Sequence, residues 1–216
     1  MPRKDDSTPT PSEVIASFLS IGKVKEGEGE IFVGIDPGAE GAISIMCGRL
    51  SAVTDIPTVK LKRKRIKETT AEERLRTGHK TKTVKGSTTK YDFASILEVF
   101  KALEPFKRRV TVVLEEVPFK TSKCRGYTYA DVAIGRAYAM WPLFLYSCGY
   151  SVEEVKPTWK HKLGLFGKDK EASRLKAISL FPDADLARKQ DHDRAEALLM
   201  VEYVKRMRSS GGENNH

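Results

Sequence analysis

Ile31-Phe32-Val33-Gly34-Ile35-Asp36-Pro37-Gly38-Ala39-Glu40-Gly41-Ala42 decides how the rest of this chain is read. Ile31 to Asp36 form a short apolar run that stops at a Pro-Gly turn, the pattern of a buried strand. The run ends on a carboxylate. A carboxylate at the end of a strand is held by the sheet while it faces a crevice. That suits an anion that must hold a metal without moving. Its partners have to come from elsewhere in the chain.

Immediately downstream, Gly41 to Met46 and Leu50 to Ile56 are alternating apolar runs joined at Cys47-Gly48-Arg49, a hairpin signal. Three antiparallel strands therefore open the fold. Tyr91 to Leu103 carries Phe93, Ile96, Leu97 and Phe100 at helical spacing and reads as an amphipathic helix. After it comes Arg109-Val110-Thr111-Val112-Val113-Leu114-Glu115-Glu116-Val117-Pro118-Phe119, a second apolar strand that ends on carboxylates. A strand that follows a helix is expected to lie parallel to the first strand. That arrangement brings Asp36 and Glu115 together and sends Glu116 to the opposite face. Thr128 to Tyr146 reads as a long helix whose small residues Ala130, Ala133, Gly135 and Ala137 allow close packing, including on a second subunit. Tyr150 to Val155 is a further strand, Trp159 to Leu165 a short helix, and Lys170 to Phe181 a helix stopped by Pro182. Arg194 to Met207 is the last helix, with Ala195, Leu198, Leu199, Val201 and Val204 on its buried face.

At 216 residues, with 40% hydrophobic and 31% charged residues, the composition is that of one soluble globular domain. No apolar run approaches the ~18 residues of a membrane span. A net charge of +9 points to a polyanion such as nucleic acid, or to an anionic membrane surface. The three cysteines have no metal-type spacing and suit a reducing, intracellular compartment. Residues 1–29 are polar, with only Val14 to Ile21 able to form a short helix, and read as a disordered arm, and 209–216 as a disordered tail. The folded domain is expected over 30–208, with a basic insertion at about 58–90. Within it, Lys60 to Lys90 carries twelve Lys or Arg against three Glu. Such a stretch cannot bury a core, so a long loop or partly disordered excursion is expected. Its cations, Lys62, Arg63, Lys64 and Arg65 among them, suit a clamp on phosphate backbones.

A third acidic element, Asp191-His192-Asp193-Arg194-Ala195-Glu196, opens the last helix. Carboxylates that converge repel one another unless a cation sits among them. Oxygen-only donors suit Mg²⁺ or Mn²⁺ better than zinc. Two such ions can hold a phosphodiester, activate a water and stabilise the leaving oxygen. A basic chain with that equipment is a candidate nuclease.

The ordered set GIDPG, LEEV and DHDRAEALL resembles the RuvC-type Holliday-junction resolvases of the RNase H-like superfamily. It is most similar to the plant organellar (monokaryotic-chloroplast) and phage members, whose last motif reads Asp-His-x-Arg-Ala-Glu-Ala-Leu-Leu. The resemblance covers roughly Ile31 to Val204 and leaves out the Lys60 to Lys90 stretch. It implies an α/β fold with a mixed five-stranded sheet, three antiparallel strands followed by parallel ones, flanked by helices. It implies a homodimer that cuts four-way DNA junctions symmetrically with Mg²⁺ or Mn²⁺, leaving 5′-phosphate and 3′-hydroxyl ends. The metal-binding carboxylates carried over are Asp36, Glu115 and Glu196 with Asp191 or Asp193, and Lys170 is the implied active-site lysine.

The choice between Asp191 and Asp193 has two sides. Asp191 and Glu196 share no helix face, whereas Asp193 and Glu196 do. A three-residue separation, as in bacterial members, favours Asp193, and the plant-like pattern favours Asp191, which is the expectation adopted. Asp193 with Glu196 also makes a plausible capping box. Phe119 follows the Glu115 strand near where bacterial members carry an aromatic wedge, and core packing explains it equally well. Lys120, Lys123 and Arg125 are candidate phosphate contacts. A rival is a nucleic-acid-binding protein of the same fold that has lost catalysis. A sugar kinase or actin-like ATPase is disfavoured because the chain has no second Asp-Gly phosphate loop and no Gly-Gly adenosine motif.

Overall fold

The computed structural model describes residues 8–27, 29–38, 40–117 and 129–211. Among the described residues, seven strands and eight α-helices follow in chain order: α1 Pro11–Ser20, α2 Gly22–Lys25, β1 Ile31–Asp36, β2 Ala42–Cys47, β3 Leu50–Asp55, β4 Thr58–Glu68, α3 Ala71–Thr77 and β5 Thr81–Tyr91. Then come α4 Phe93–Leu103, β6 Val110–Glu115, α5 Tyr129–Ser147, β7 Ser151–Val155, α6 Trp159–Lys162, α7 Lys170–Leu180 and α8 His192–Gly211.

The main sheet has the order β3-β2-β1-β6-β7. β1, β2 and β3 pair antiparallel, while β6 joins β1 and β7 joins β6 in parallel. This is the mixed five-stranded sheet, three antiparallel strands followed by parallel ones, expected from the sequence. The β2–β3 turn is two residues long, and Gly48 takes φ +60 there, which suits a tight hairpin turn.

Alternation along the strands builds two cores. Ile31, Val33 and Ile35 of β1, Ile43 and Ile45 of β2, and Val110, Val112 and Leu114 of β6 pack with Ile96, Val99, Phe100 and Leu103 of α4 and Trp141 and Leu145 of α5. Phe32, Ala42, Met46 and Val113 face the other way, toward α8, α7 and α6. Asp36 and Glu115 continue this second face. Gly34 lets α8 lie directly on β1, because a Cβ there would stand 2.5 Å from the Ala197 carbonyl oxygen and 2.6 Å from Val201 Cγ2. The Ser44 hydroxyl donates to that same carbonyl at 2.9 Å. Close docking of α8 is what brings its acidic first turns to the strand ends.

Three expectations are corrected. The N-terminal arm is ordered over α1 and α2. Thr10 and Glu13 form a reciprocal capping box, and Ile15, Phe18, Leu19 and Val24 are buried in the α4 layer. Apolar spacing of three and four is hidden there among Ser, Thr and Lys, yet each buried side chain contributes about 1.5–3 kcal/mol of transfer free energy. The basic stretch is also regular. β4 and β5 pair over eleven positions, from Thr58↔Tyr91 to Glu68↔Thr81, with α3 at the tip. A ladder that satisfies its own backbone, with Thr, Val and Ile along the strands, forms a ribbon without a core. The prediction that no core lies there still holds, since α3 buries no residue. At the other end, α8 runs through Ser209 and Ser210 to Gly211, so helix stands where a tail was expected over 209–211.

Candidate metal centre

Asp36 and Glu115 end neighbouring parallel strands, with Ile35 opposite Leu114 in the register. Both carboxylates point to the α8 side, where the first turns of that helix supply Glu196. Among the described residues, one carboxylate oxygen from each of Asp36, Glu115 and Glu196 lies within 4.8 Å of the others. Glu116 acts instead on Tyr138 in the opposite layer, as alternation predicts.

Electrostatics mark the cluster as strained. Burial pushes the Asp36 carboxyl well above the usual carboxylate range, and the charges of Glu115, Asp193 and Glu196 push the same way. Burial raises Glu115 as well, opposed by Lys160 and by a hydrogen bond from Trp159. Three groups hold the carboxylates in place. Trp159 Nε1 donates to Glu115 Oε1 at 3.1 Å, Ser173 Oγ to Glu196 Oε1 at 3.2 Å, and Lys160 Nζ to Glu196 Oε2 at 2.7 Å. Lys160 Nζ also stands 3.9 Å from Glu115 Oε1. Burial alone would lower the Lys160 ammonium, but the Glu196 hydrogen bond and the charges of Glu115, Glu196 and Asp36 hold it above its ordinary value. The donor set therefore fits a hard divalent cation: oxygen ligands from three elements, oriented by neighbours, with too little positive charge of their own.

Asp191 does not join the cluster. α8 starts at His192, so Asp191 sits just outside it and its backbone oxygen receives the Ala195 N–H at 3.0 Å. Its side chain is fully buried and committed to Arg188. Oδ2 accepts the Arg188 backbone N–H at 2.7 Å, and Oδ1 accepts from Arg188 Nε at 2.8 Å. Arg194 Nε is 3.8 Å away. That geometry sets Asp191 apart from the carboxylate cluster, which does not include Asp193 either. Asp193 is the residue whose charge acts on Asp36 and Glu115, and it pairs with Lys170 Nζ at 3.4 Å. Lys170, the first residue of α7 after its Asp169 cap, thus lies beside Asp193.

Lys160, Trp159 and Ser173 were missed. A topological signal for the first two existed. β7 runs parallel to β6, with Val155 opposite Glu115, so the chain leaving β7 must emerge beside Glu115. Lys62, Arg63, Lys64 and Arg65 lie on β4, in the ribbon rather than at the carboxylates. Phe119, Lys120, Lys123 and Arg125 lie outside the described residues.

No family model and no curated protein matches the sequence. Solved structures do. Thermus thermophilus RuvC is 16% identical, with a TM-score of 0.42, covering 82% of this chain and 96% of that chain. T. thermophilus RuvC in complex with Holliday junction substrate is 15% identical, with a TM-score of 0.43 and the same coverage. Identity this low leaves the chemistry to be argued from the residues of this chain.

Proposed function

We propose that this chain is a divalent-metal-dependent endonuclease of the RuvC type that cuts four-way DNA junctions, nearest the plant organellar and phage resolvases by its Asp-His-x-Arg-Ala-Glu-Ala-Leu-Leu run. The observation that carries the reading is the meeting of Asp36, Glu115 and Glu196 within 4.8 Å, with Lys160 as the near cation. Half-buried carboxylates this close together destabilise a protein that does not use them.

Phosphodiester hydrolysis requires an attacking water in line with the scissile bond and relief of the charge that grows on the phosphate oxygens. Mg²⁺ or Mn²⁺ held by Asp36, Glu115, Glu196 and Asp193 supplies, when bound, Lewis acidity for the attacking water and the leaving oxygen. The chain's own groups do the rest. Trp159 and Ser173 fix the orientation of Glu115 and Glu196. Lys160, inside the cluster, limits the repulsion among the carboxylates. Lys170, 65% exposed, is free to swing its ammonium toward a phosphate oxygen.

A dimer is part of the proposal. Met140, Leu143 and Tyr146 follow one another at three-residue spacing on α5 and are 43%, 64% and 57% exposed. That apolar stripe suits a second copy of this chain, which would set two centres on opposing strands.

A second reading draws on Lys160, whose built-in ammonium already neutralises part of the cluster. It is a junction-binding protein that does not cut. A cleavage assay with Mg²⁺ on four-way junction, flap and linear duplex separates the two. Junction cutting that Asp36→Asn abolishes is the expected result. Tight binding without cutting, in wild type as in variant, would sink the nuclease reading.

A further inference from the structure

We propose that the β4–β5 ribbon is a duplex-gripping arm, which lies along about one turn of a double-stranded DNA arm and holds its phosphates away from the carboxylate centre. The proposal rests on the nuclease reading for its substrate.

Charge is the first argument. Residues 60–90 hold twelve Lys or Arg and three Glu, a net +9 equal to that of the whole chain. The other 26 cationic residues are balanced by 26 acidic ones. The excess that attracts a polyanion therefore resides in the ribbon.

The register arranges it. Lys60, Lys62 and Lys64 occupy alternate positions of β4 and so share one face, and Lys85 stands directly opposite Lys64. Successive cations on that face are about 6.6 Å apart, roughly twice the axial spacing of phosphates along one DNA strand. Like charges directly across a ladder are destabilising unless an anion lies over them. Among the described residues, no ion pair involves Lys60, Lys62, Lys64 or Lys85. By contrast Lys82, opposite Lys67, has the Glu73 carboxylate of α3 as its partner.

Length and composition choose the partner. Eleven strand residues span about 36 Å, close to the 34–36 Å of one helical turn of B-DNA. Single-strand binders stack bases on aromatic rings, and no Phe, Trp or Tyr occurs between Thr58 and Lys90. Exposed Val59, Leu61, Ile66 and Leu75, set among the cations, are too few to anchor a membrane surface. The base of the ribbon fixes its position. Tyr91 packs edge-on against Trp141 at 5.4 Å between centroids, and β4 begins at Thr58, just after Asp55, which pairs with Ala42, the register partner of Asp36. The ribbon therefore starts beside the centre and leads away from it, as a junction arm does from the crossover.

The test compares the full chain with the variant Lys60→Gln/Lys62→Gln/Lys64→Gln/Lys85→Gln. A second variant replaces residues 60–89 by two glycines that join the register partners Val59 and Lys90. Binding to four-way junctions with 8- and 20-base-pair arms is measured in EDTA by fluorescence anisotropy from 50 to 200 mM KCl. Four lost phosphate contacts lower the log–log salt slope by about 3.6. The advantage of wild type over the glutamine variant then shrinks roughly 10²-fold across that range, and the preference for long arms disappears in both variants. Equal slopes for wild type and variants would overturn the proposal. So would an equal loss on a single-stranded 20-mer, or loss only of binding to phosphatidylserine vesicles with junction affinity intact. A wild type that shows the steep slope but never cuts with Mg²⁺ sinks the nuclease reading and leaves the arm standing.

Discussion

Two groups of carboxylates meet at the N-terminal end of α8, and they differ in what neutralises them. On one side, Asp191 has the Arg188 guanidinium on Oδ1 and the Arg188 backbone N–H on Oδ2. Asp55 and Asp185 complete that group through Arg194, at 2.6 Å each. Burial would raise Asp55, but its bonds to Arg194 and the charges of Arg194 and Arg188 hold it below the usual carboxylate range. On the other side, Asp36, Glu115 and Glu196 share Lys160, and Asp36 and Glu115 are pushed upward. One turn of chain separates a salt-bridged anchor from a group left short of positive charge. A carboxylate given its own arginine ties α8 to β3, while one left without is available to a cation from solution.

Activity offers the largest test. Asp36→Asn removes a donor from the uncompensated group, and junction cleavage with Mg²⁺ is expected to fall about 10³-fold. Asp191→Asn acts only through the anchor, so folded protein should cut within about tenfold of wild type. Single-turnover rates on a synthetic junction read both. A folded Asp191→Asn protein as dead as Asp36→Asn would erase the contrast and restore Asp191 to the centre.

Stability should run the opposite way. Asp191→Asn breaks a buried ionic contact, for a cost of about 2 kcal/mol. That is less than a fully buried pair costs, because the Arg188 side chain is 46% exposed and can turn to water. Asp36→Asn instead removes a charge that the folded state holds badly, and metal-free protein should become more stable near pH 7. Urea unfolding in EDTA measures both signs. A destabilised Asp36→Asn would mean that the cluster is already compensated.

The sheet and the strand-end acids were legible because they rest on short-range patterns. An apolar run stopping at Asp36, another stopping at Glu115 and the hairpin around Gly48 each fit in a dozen residues. Parallel pairing of β1 with β6 then had to bring the two acids together. What escaped depended on long-range partners. Asp191 and Asp193 are two residues apart in one acidic run, and only the positions of Arg188, Arg194 and Lys170 tell their surroundings apart. Lys160 looked like any lysine on a four-residue helix until β7 fixed where that helix emerges. The ribbon was misread because composition suggested a lack of core, and lack of core was equated with lack of structure.

pH separates the groups next. A carboxyl raised in the folded state contributes stability below its ordinary value of about 4, and that contribution is lost as pH climbs through the raised value. For Asp36 and Glu115 the metal-free protein should therefore lose thermal stability as pH rises above about 4. Mg²⁺ should restore it, because the ion binds the ionised form. Asp55, lowered by its arginines, contributes the reverse: stability present above about 4 and lost below. Melting curves at pH 5 to 8, with EDTA or Mg²⁺, give the first sign directly. A Tm that does not respond to Mg²⁺ at pH 8 would show that Lys160 has already done the ion's work.

The smallest expected effect falls on the pair between the two groups. Asp193 meets Lys170 at 3.4 Å, and Lys170 is 65% exposed, so their mutual attraction is weak. Each of Asp193→Asn and Lys170→Met should slow cleavage by about tenfold. The double variant distinguishes two roles for the lysine. If Lys170 only offsets the Asp193 charge, removing both costs no more than the worse single change, and the coupling is large. If Lys170 reaches a phosphate oxygen while Asp193 helps to hold the ion, the losses multiply to about 10²-fold. Multiplied losses place Asp193 with the uncompensated acids. Full cancellation places it with Asp191, among acids that have a cation of their own.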